Sequence, residues 1–553
     1  MNAKHDEVVR GIEESVLDQH HLNYPLLIRS ERRAIFAILN EISVIIRGLR
    51  TGKIAKTSDD GRSETINQGL RGLAHCLRWI KTLCSVEDER QIADENSLSN
   101  EAMTLLRWSV KYDVLFNQHT AYSRNVGGRR LVEAEVNEAE RVITFSSIFS
   151  GSHRYFVSQV ESKKRNDERE AQLSPEPELS QRSKPWFASA KPSVTGLQFD
   201  YATIRSGGAL QVAESWLEST FFPGIRSQVS LGDFTVGELR RVLGFVHVYS
   251  LFRTRLEDFA DDRGQVVLLP SVVQTEAAQF ALEISDATDV EVSKVSAILE
   301  IYTFVVKPLR ITCAQKPFVK TNDGCMMFVP RVFLSLNLEH MFIGAVNVTV
   351  AGQKAYSNAI NTIESSGVEA ISAHLGNTGM QCCQRQKQVS WCLSNGDVIT
   401  PDIVLLSQDG KEALIIDVKH SCPPFGPADI HSDLEDMEKW KSRMAEYVAA
   451  FSENPNIFAQ HFQISKGMRP QVMGMILMRW PFPIPTEFSP PIVCIDWPSL
   501  RDRLNTLSGT HSISDIFLWV HGRPDVPIVD KLQPVQKEVR VADWTYRYSV
   551  FSQ

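Results

Sequence analysis

Apolar residues recur every three to four positions through much of the first 160 residues. Over 35–49, Ile35, Ile38, Leu39, Ile42, Ile45, Ile46 and Leu49 keep helical spacing. Over 66–84, Ile66, Leu70, Leu73, Leu77, Ile80 and Cys84 alternate steps of four and three, with Arg71, Arg78 and Lys81 off the seam. The seam is too short for a sustained coiled coil and predicts a helix packed in a bundle. Residues 1–160 are therefore expected to form a helical domain. The pattern breaks over 161–193. From Glu161 to Lys184, 12 of 24 residues are charged, and Pro175, Pro177 and Pro185 lie among or just after them. Such a stretch buries too little apolar surface to order itself and reads as a linker.

Residues 194–344 resume globular patterning and read as a mixed, mostly helical middle domain. Thr235-Val236-Gly237-Glu238 has the form of a capping box ahead of a helix carrying Leu239, Val242, Leu243, Val246 and Leu251. Asn322-Asp323-Gly324 separates two strand-like runs and predicts a hairpin.

The region 345–553 changes period. Ala355 to Leu375 reads as a helix that could break at Ser365-Ser366-Gly367. Cys383 to Leu393 reads as one strand, with Val389, Trp391 and Leu393 alternating. Two apolar runs follow, Ile403-Val404-Leu405-Leu406 and Ala413-Leu414-Ile415-Ile416, with Asp409-Gly410 between them. That is a β-hairpin signature. A helix is expected from about Asp433 to Phe451, then a strand from Gln471 to Arg479. The order helix–strand–strand–strand–helix–strand predicts an α/β unit with a mixed sheet behind a mainly α-helical N-terminal half.

Length and composition narrow the function classes. A chain of 553 residues is too long for one core and implies two to four domains at roughly 100–200 residues each. The net charge of −7 gives no global basic field, so nucleic acid would have to meet a local patch. The same acidity suggests that the helical N-terminal half binds protein. Nine scattered cysteines without a CxxC pair support neither a zinc site nor a disulfide framework. MNAKHDEVVRGIEES has no apolar core, so no signal peptide is expected, and no run approaches a membrane span. A reduced, cytoplasmic protein is expected. Phosphate-loop, dinucleotide-binding, GxSxG and HExxH motifs are missing.

The candidate chemistry sits on the hairpin. Asp402 enters one strand and Asp417 leaves the other, about equally far from the turn near 408–411. They can therefore face each other across the pair. Lys419 shares the side of Asp417, while Val418 and His420 point to the opposite face. Two crowded carboxylates repel unless a positive charge lies between them. A hard divalent cation with oxygen ligands meets that need, and a neighbouring lysine can orient water and stabilise charge on a phosphate. A blander alternative makes Asp402 a turn residue and Asp417–Lys419 a solvated edge-strand pair.

Pro401-Asp402, a gap of 14 residues and Asp417-Val418-Lys419 resemble the PD-(D/E)xK motif of the restriction-endonuclease-like nuclease superfamily. The resemblance covers about 355–480, under a quarter of the chain. It implies a metal-dependent nuclease acting on DNA, with Asp402 and Asp417 holding Mg²⁺, or Mn²⁺ in its place. It further implies Lys419 at the water and the scissile phosphate, and the Val418 carbonyl as an added ligand. Many relatives add a glutamate from the first core helix. Glu364 and Glu369 are available here, and Glu364 is preferred because Val368, Ile371 and Leu375 form the buried face after it. Some exonuclease-like relatives carry Gln-x-x-x-Tyr on the later helix, where this chain has Arg443 ahead of Tyr447.

Lys439, Lys441 and Arg443 on that helix, and Lys466 and Arg469 before the last core strand, are candidate DNA contacts. Glu435, Asp436 and Glu438 alongside fit a merely solvated helix face equally well. A large helical region joined to such a nuclease is similar to effectors of bacterial anti-phage or mobile-element systems. The alternative is a catalytically inactive nuclease fold that serves as a DNA-binding or assembly module.

Overall fold

The structure is a computed structural model that describes residues 3–50, 59–85, 95–123, 132–147, 176–182, 208–221, 225–262, 271–307, 312–348, 350–378, 383–421, 427–464, 467–480, 488–507, 511–522 and 533–552, with the short pieces 125–126, 129–130, 191–193, 196–198 and 380. Most of the expected linker lies outside these residues. No described helix is long and apolar enough to cross a membrane.

The N-terminal half is helical. Helices α1 (Glu31–Arg50), α2 (Asp59–Leu83) and α3 (Glu95–Ser123) pack around Ile38, Ile42, Leu73, Leu77 and Leu105. The seam predicted over 66–84 thus faces its neighbours in a bundle. The stretch after α3 departs from the helical expectation. It forms an antiparallel hairpin, β1 (Val132–Asn137) and β2 (Val142–Ser147). Val132-Glu133-Ala134-Glu135-Val136 alternates apolar and acidic residues, which suits a strand with one face on the bundle.

The middle region has its own core, around α4 (Val236–Asp262). The capping box forms: Glu238 N–H donates to Thr235 Oγ1 at 3.2 Å, and Thr235 N–H donates to Glu238 Oε2 at 2.8 Å. The hairpin read at Asn322-Asp323-Gly324 is also present, as β3 (Val319–Lys320) and β4 (Cys325–Phe328). Gly324 takes φ +85°, which suits glycine in that turn. Helix α5 (Leu338–Val348) closes this core with Met341 and Phe342.

Helix α6 (Val350–Asn377) bridges two cores. Ile363 lies in the middle core, whereas Val368, Ile371 and Leu375 lie under the C-terminal sheet. The helix runs through Ser365-Ser366-Gly367 without the expected break. Strand β5 (Cys383–Lys387) follows, and it is shorter than expected. Gln388 takes φ +48° and turns the chain out of the sheet, so Trp391 starts a separate ribbon, β6 (Trp391–Cys392) with β7 (Val398–Ile399).

Then come β8 (Ile403–Ser407), β9 (Glu412–Lys419), α7 (Pro427–Glu453), β10 (Gln471–Met478) and β11 (Ile492–Asp496). The sheet order is β5-β8-β9-β10-β11. The first three strands are antiparallel, and β9, β10 and β11 are parallel. Strand β9 is therefore central, which excludes the solvated edge-strand alternative. Strand parity sorts the two faces. Ile403, Leu414, Ile416 and Val418 pack towards α6, with α8 (Trp497–Thr506) and α9 (Ile513–His521) on the same side. Val404, Ala413, Ile415 and Ile476 pack towards α7.

The C-terminal extension returns to the other end of the chain. Strands β12 (Gln533–Val541) and β13 (Trp544–Ser552) form a hairpin, and β13 pairs in parallel with β2. Tyr546 is buried there in the N-terminal core.

Helix α7 approaches the sheet closely at Gly474. A Cβ there would lie 2.7 Å from Met444 Sδ and 2.9 Å from Val448 Cγ2. Both neighbours are buried, so the helix would have to lift. Gly474→Val is expected to destabilise the protein by about 1–3 kcal/mol in chemical denaturation. An unchanged midpoint would contradict the close seating of α7.

Candidate active site

The hairpin register sets the site. Ile403 pairs with Ile416, so Asp402 and Asp417 stand opposite one another one step further on. Both then share the α7 face with Lys419, because side chains alternate along a strand. Asp402 is anchored by its surroundings. Its Oδ2 accepts the Val418 N–H at 2.7 Å. Its carbonyl accepts the Gln388 N–H at 2.8 Å, so the left-handed residue that ends β5 also clips Asp402 in place.

Burial and the facing Asp417 carboxyl raise Asp402 far above the usual carboxylate range, against the opposing pull of the Val418 N–H and Lys419. Asp417 is 5% exposed, and its Oδ2 lies 2.6 Å from Lys419 Nζ. The Lys419 ammonium is the cation that balances this buried oxygen. Lys419 also lies over the Trp440 ring of α7, 5.8 Å from its centre.

Arg443, one turn along α7, donates to the Tyr447 hydroxyl at 2.8 and 2.6 Å. Both side chains feel the charges of Asp402 and Asp417. Arg443 thus combines exposure with a place beside the carboxylates. The other candidate contacts divide. Lys439 is exposed and pairs with Asp436 at 3.0 Å. Lys441 lies 5.6 Å from the Phe488 ring centre. Lys466 lies outside the described residues.

Arg469 is at the wrong end of the sheet. Strand β10 runs parallel to β9, with Gln471 beside Glu412 and Ile476 beside Asp417. This puts Arg469 roughly 20 Å from the carboxylates, by strand rise. The parallel crossover is what displaces it.

The two helix acids also separate. Glu369 is on the surface and pairs with Lys387 at 2.6 Å. Glu364 is half-buried; burial raises its carboxyl, while Lys419 and Arg479 pull it down. Glu364 therefore joins the lysine end of the site. Among the described residues, no three His, Cys, Asp or Glu side chains group around one ion position.

His420 faces α6, as strand parity requires. Its ring meets Arg479, with Nδ1 3.3 Å from Nη1, and burial with the two nearby cations pushes its pKa down to about 3. Sequence reasoning missed Arg479. Its signal was a lone charge directly after the apolar run Val472–Met478, level with the end of β9.

No protein-family model, curated protein or solved structure matches the chain.

The crowded carboxyls carry a pH signature. Asp402, pushed up to about 7, stays protonated in the fold at pH values where the unfolded chain ionises it. Its stabilising contribution is therefore complete in acid and is lost as pH rises through neutrality. In metal-free buffer, Asp402→Asn should be more stable than wild type by roughly 2 kcal/mol at pH 8, with the gap closing towards pH 4. A pH-independent difference in denaturation would contradict the facing pair.

Proposed function

We propose that the C-terminal unit is a metal-dependent nuclease of the PD-(D/E)xK kind that hydrolyses DNA phosphodiester bonds. One observation carries this reading. Asp402 and Asp417 face each other at the end of a central strand pair, and Lys419 lies on the same side, 2.6 Å from Asp417. The order α6–β5–β8–β9–α7–β10, interrupted by the small β6–β7 ribbon, supports it independently.

The donor set fits a hard divalent cation. Asp417 offers a buried oxygen met by the Lys419 ammonium, and the crowding that raises Asp402 is what a cation between the two carboxyls would relieve. Asp402 and Asp417 would hold Mg²⁺ or Mn²⁺, which supplies Lewis acidity and neutralises charge at the scissile phosphate. Lys419 then has two tasks. It balances Asp417 until substrate arrives, and its ammonium orients the attacking water and stabilises the phosphorane-like charge. Glu364, on α6, adds a carboxyl whose charge is felt by Lys419 and Arg479. Arg443, held by Tyr447, meets the incoming phosphate backbone.

A supercoiled plasmid tests this directly. The protein is expected to nick or linearise it with Mg²⁺ or Mn²⁺ and to stop when the metal is chelated. Asp417→Ala and Lys419→Ala should each slow cleavage at least about 100-fold. Cleavage retained in both variants would place the chemistry elsewhere. DNA binding without cleavage would favour the inactive, DNA-binding reading of this fold.

A further inference from the structure

The lysine end of the site is tied to the middle core through Arg479. Its backbone N–H donates to the Lys419 carbonyl at 2.8 Å, continuing the β9–β10 ladder past the last paired residues. Its side chain turns the other way, towards α6 and α5. There Nη2 lies 2.9 Å from Glu339 Oε1, with both side chains nearly buried (7% and 6% exposed). Nη1 meets His420, and the guanidinium lies 5.0 Å from the Trp480 ring centre.

Gly367 makes room for this cluster. A Cβ there would lie 2.7 Å from His420 Cε1 and 3.2 Å from Arg479 Nη1. Gly367 falls where α6 passes from the middle core to the sheet, between Ile363 and Val368.

A buried ion pair is a poor source of stability, because desolvation offsets most of its attraction. Its consequence here is positional. The Arg479 main chain holds the Lys419 carbonyl, and its guanidinium meets His420, the next residue along β9. Glu339 fixes that guanidinium from the middle core, so removing its charge would loosen the side chain packed on His420 and with it the backbone that carries Lys419. We propose that Arg479, held by Glu339 of the middle core, is a positioning residue that sets Lys419. The middle region would thereby control whether the site is assembled. The catalytic part of this proposal rests on the nuclease reading above; the structural part does not.

The test uses the full chain and two readouts on Glu339→Gln, Arg479→Gln and Arg479→Lys. In hydrogen–deuterium exchange, Glu339→Gln and Arg479→Gln should make the amides of 417–420 and those around Gly367 exchange about tenfold faster, as loss of one buried partner allows. Arg479→Lys keeps a cation opposite Glu339 and should restore most of the protection. Ile284→Ala, in the middle core, should loosen that core while leaving 417–420 protected. In plasmid cleavage, the Gln variants should lower kcat about tenfold with KM unchanged, and Arg479→Lys should recover it. Unchanged exchange at 417–420 in the Gln variants, or an Ile284→Ala variant that loosens 417–420 as much as they do, would overturn the positioning role. A wild-type protein that cuts no DNA would overturn the nuclease reading and leave the exchange data to decide the positioning role alone.

Discussion

Two carboxyl groups facing each other at the end of a buried strand pair set the terms for everything around them. Neither can ionise freely while the other does, and water cannot screen them well. The protein answers by pushing Asp402 towards its neutral form and by bringing in an ammonium from Lys419 and a backbone N–H from Val418. None of these would meet if the hairpin slipped by one residue, because every side chain would change faces. The register is held by Ile403, Leu405, Leu414 and Ile416 on one side and by Val404, Leu406, Ala413 and Ile415 on the other. The apolar packing of β8 and β9 is thus what creates the polar problem at their end.

The surrounding elements manage that problem from both faces. Helix α7 comes down on Gly474 and brings Trp440, Arg443 and Tyr447 to the carboxylate side. Helix α6 comes down on Gly367 and brings Glu364 to the lysine, beside the His420–Arg479 pair. In both places glycine matters for close approach, not for backbone freedom. The two helices also differ in reach. Helix α7 also touches α3 of the N-terminal half, whereas α6 is shared with the middle core, so each face of the site is linked to a different neighbouring region.

Much of this was legible because the signals were local. The hairpin showed its apolar runs and its Asp-Gly turn, and counting from that turn put Asp402 opposite Asp417. The buried face Val368–Ile371–Leu375 separated the two helix acids: Glu364 is half-buried near Lys419 and Arg479, and Glu369 is on the surface with Lys387. Long-range choices were not legible. Gln388 gives no hint that it turns left-handed and ends β5. The return of β13 to β2 joins residues about 400 positions apart, and nothing in either strand names its partner. Arg469 was misplaced because its distance from the site depends on the parallel direction of β10. Arg479 and Glu339 pair across 140 positions of chain, and only the packing of α5 beside α6 reveals them. The hairpin β1–β2 was readable in principle from its alternation but was hidden by its acidic residues.

The central claim is that Asp402 and Asp417 form one cation site at the end of this strand pair. Diffraction from crystals grown with Mn²⁺, recorded at the manganese absorption edge, tests it most directly. The account predicts an anomalous peak between the two carboxylates, with Lys419 moved off Asp417, and no such peak in Asp417→Asn. Crystals that show Lys419 still paired with Asp417 and no manganese at the pair would contradict it.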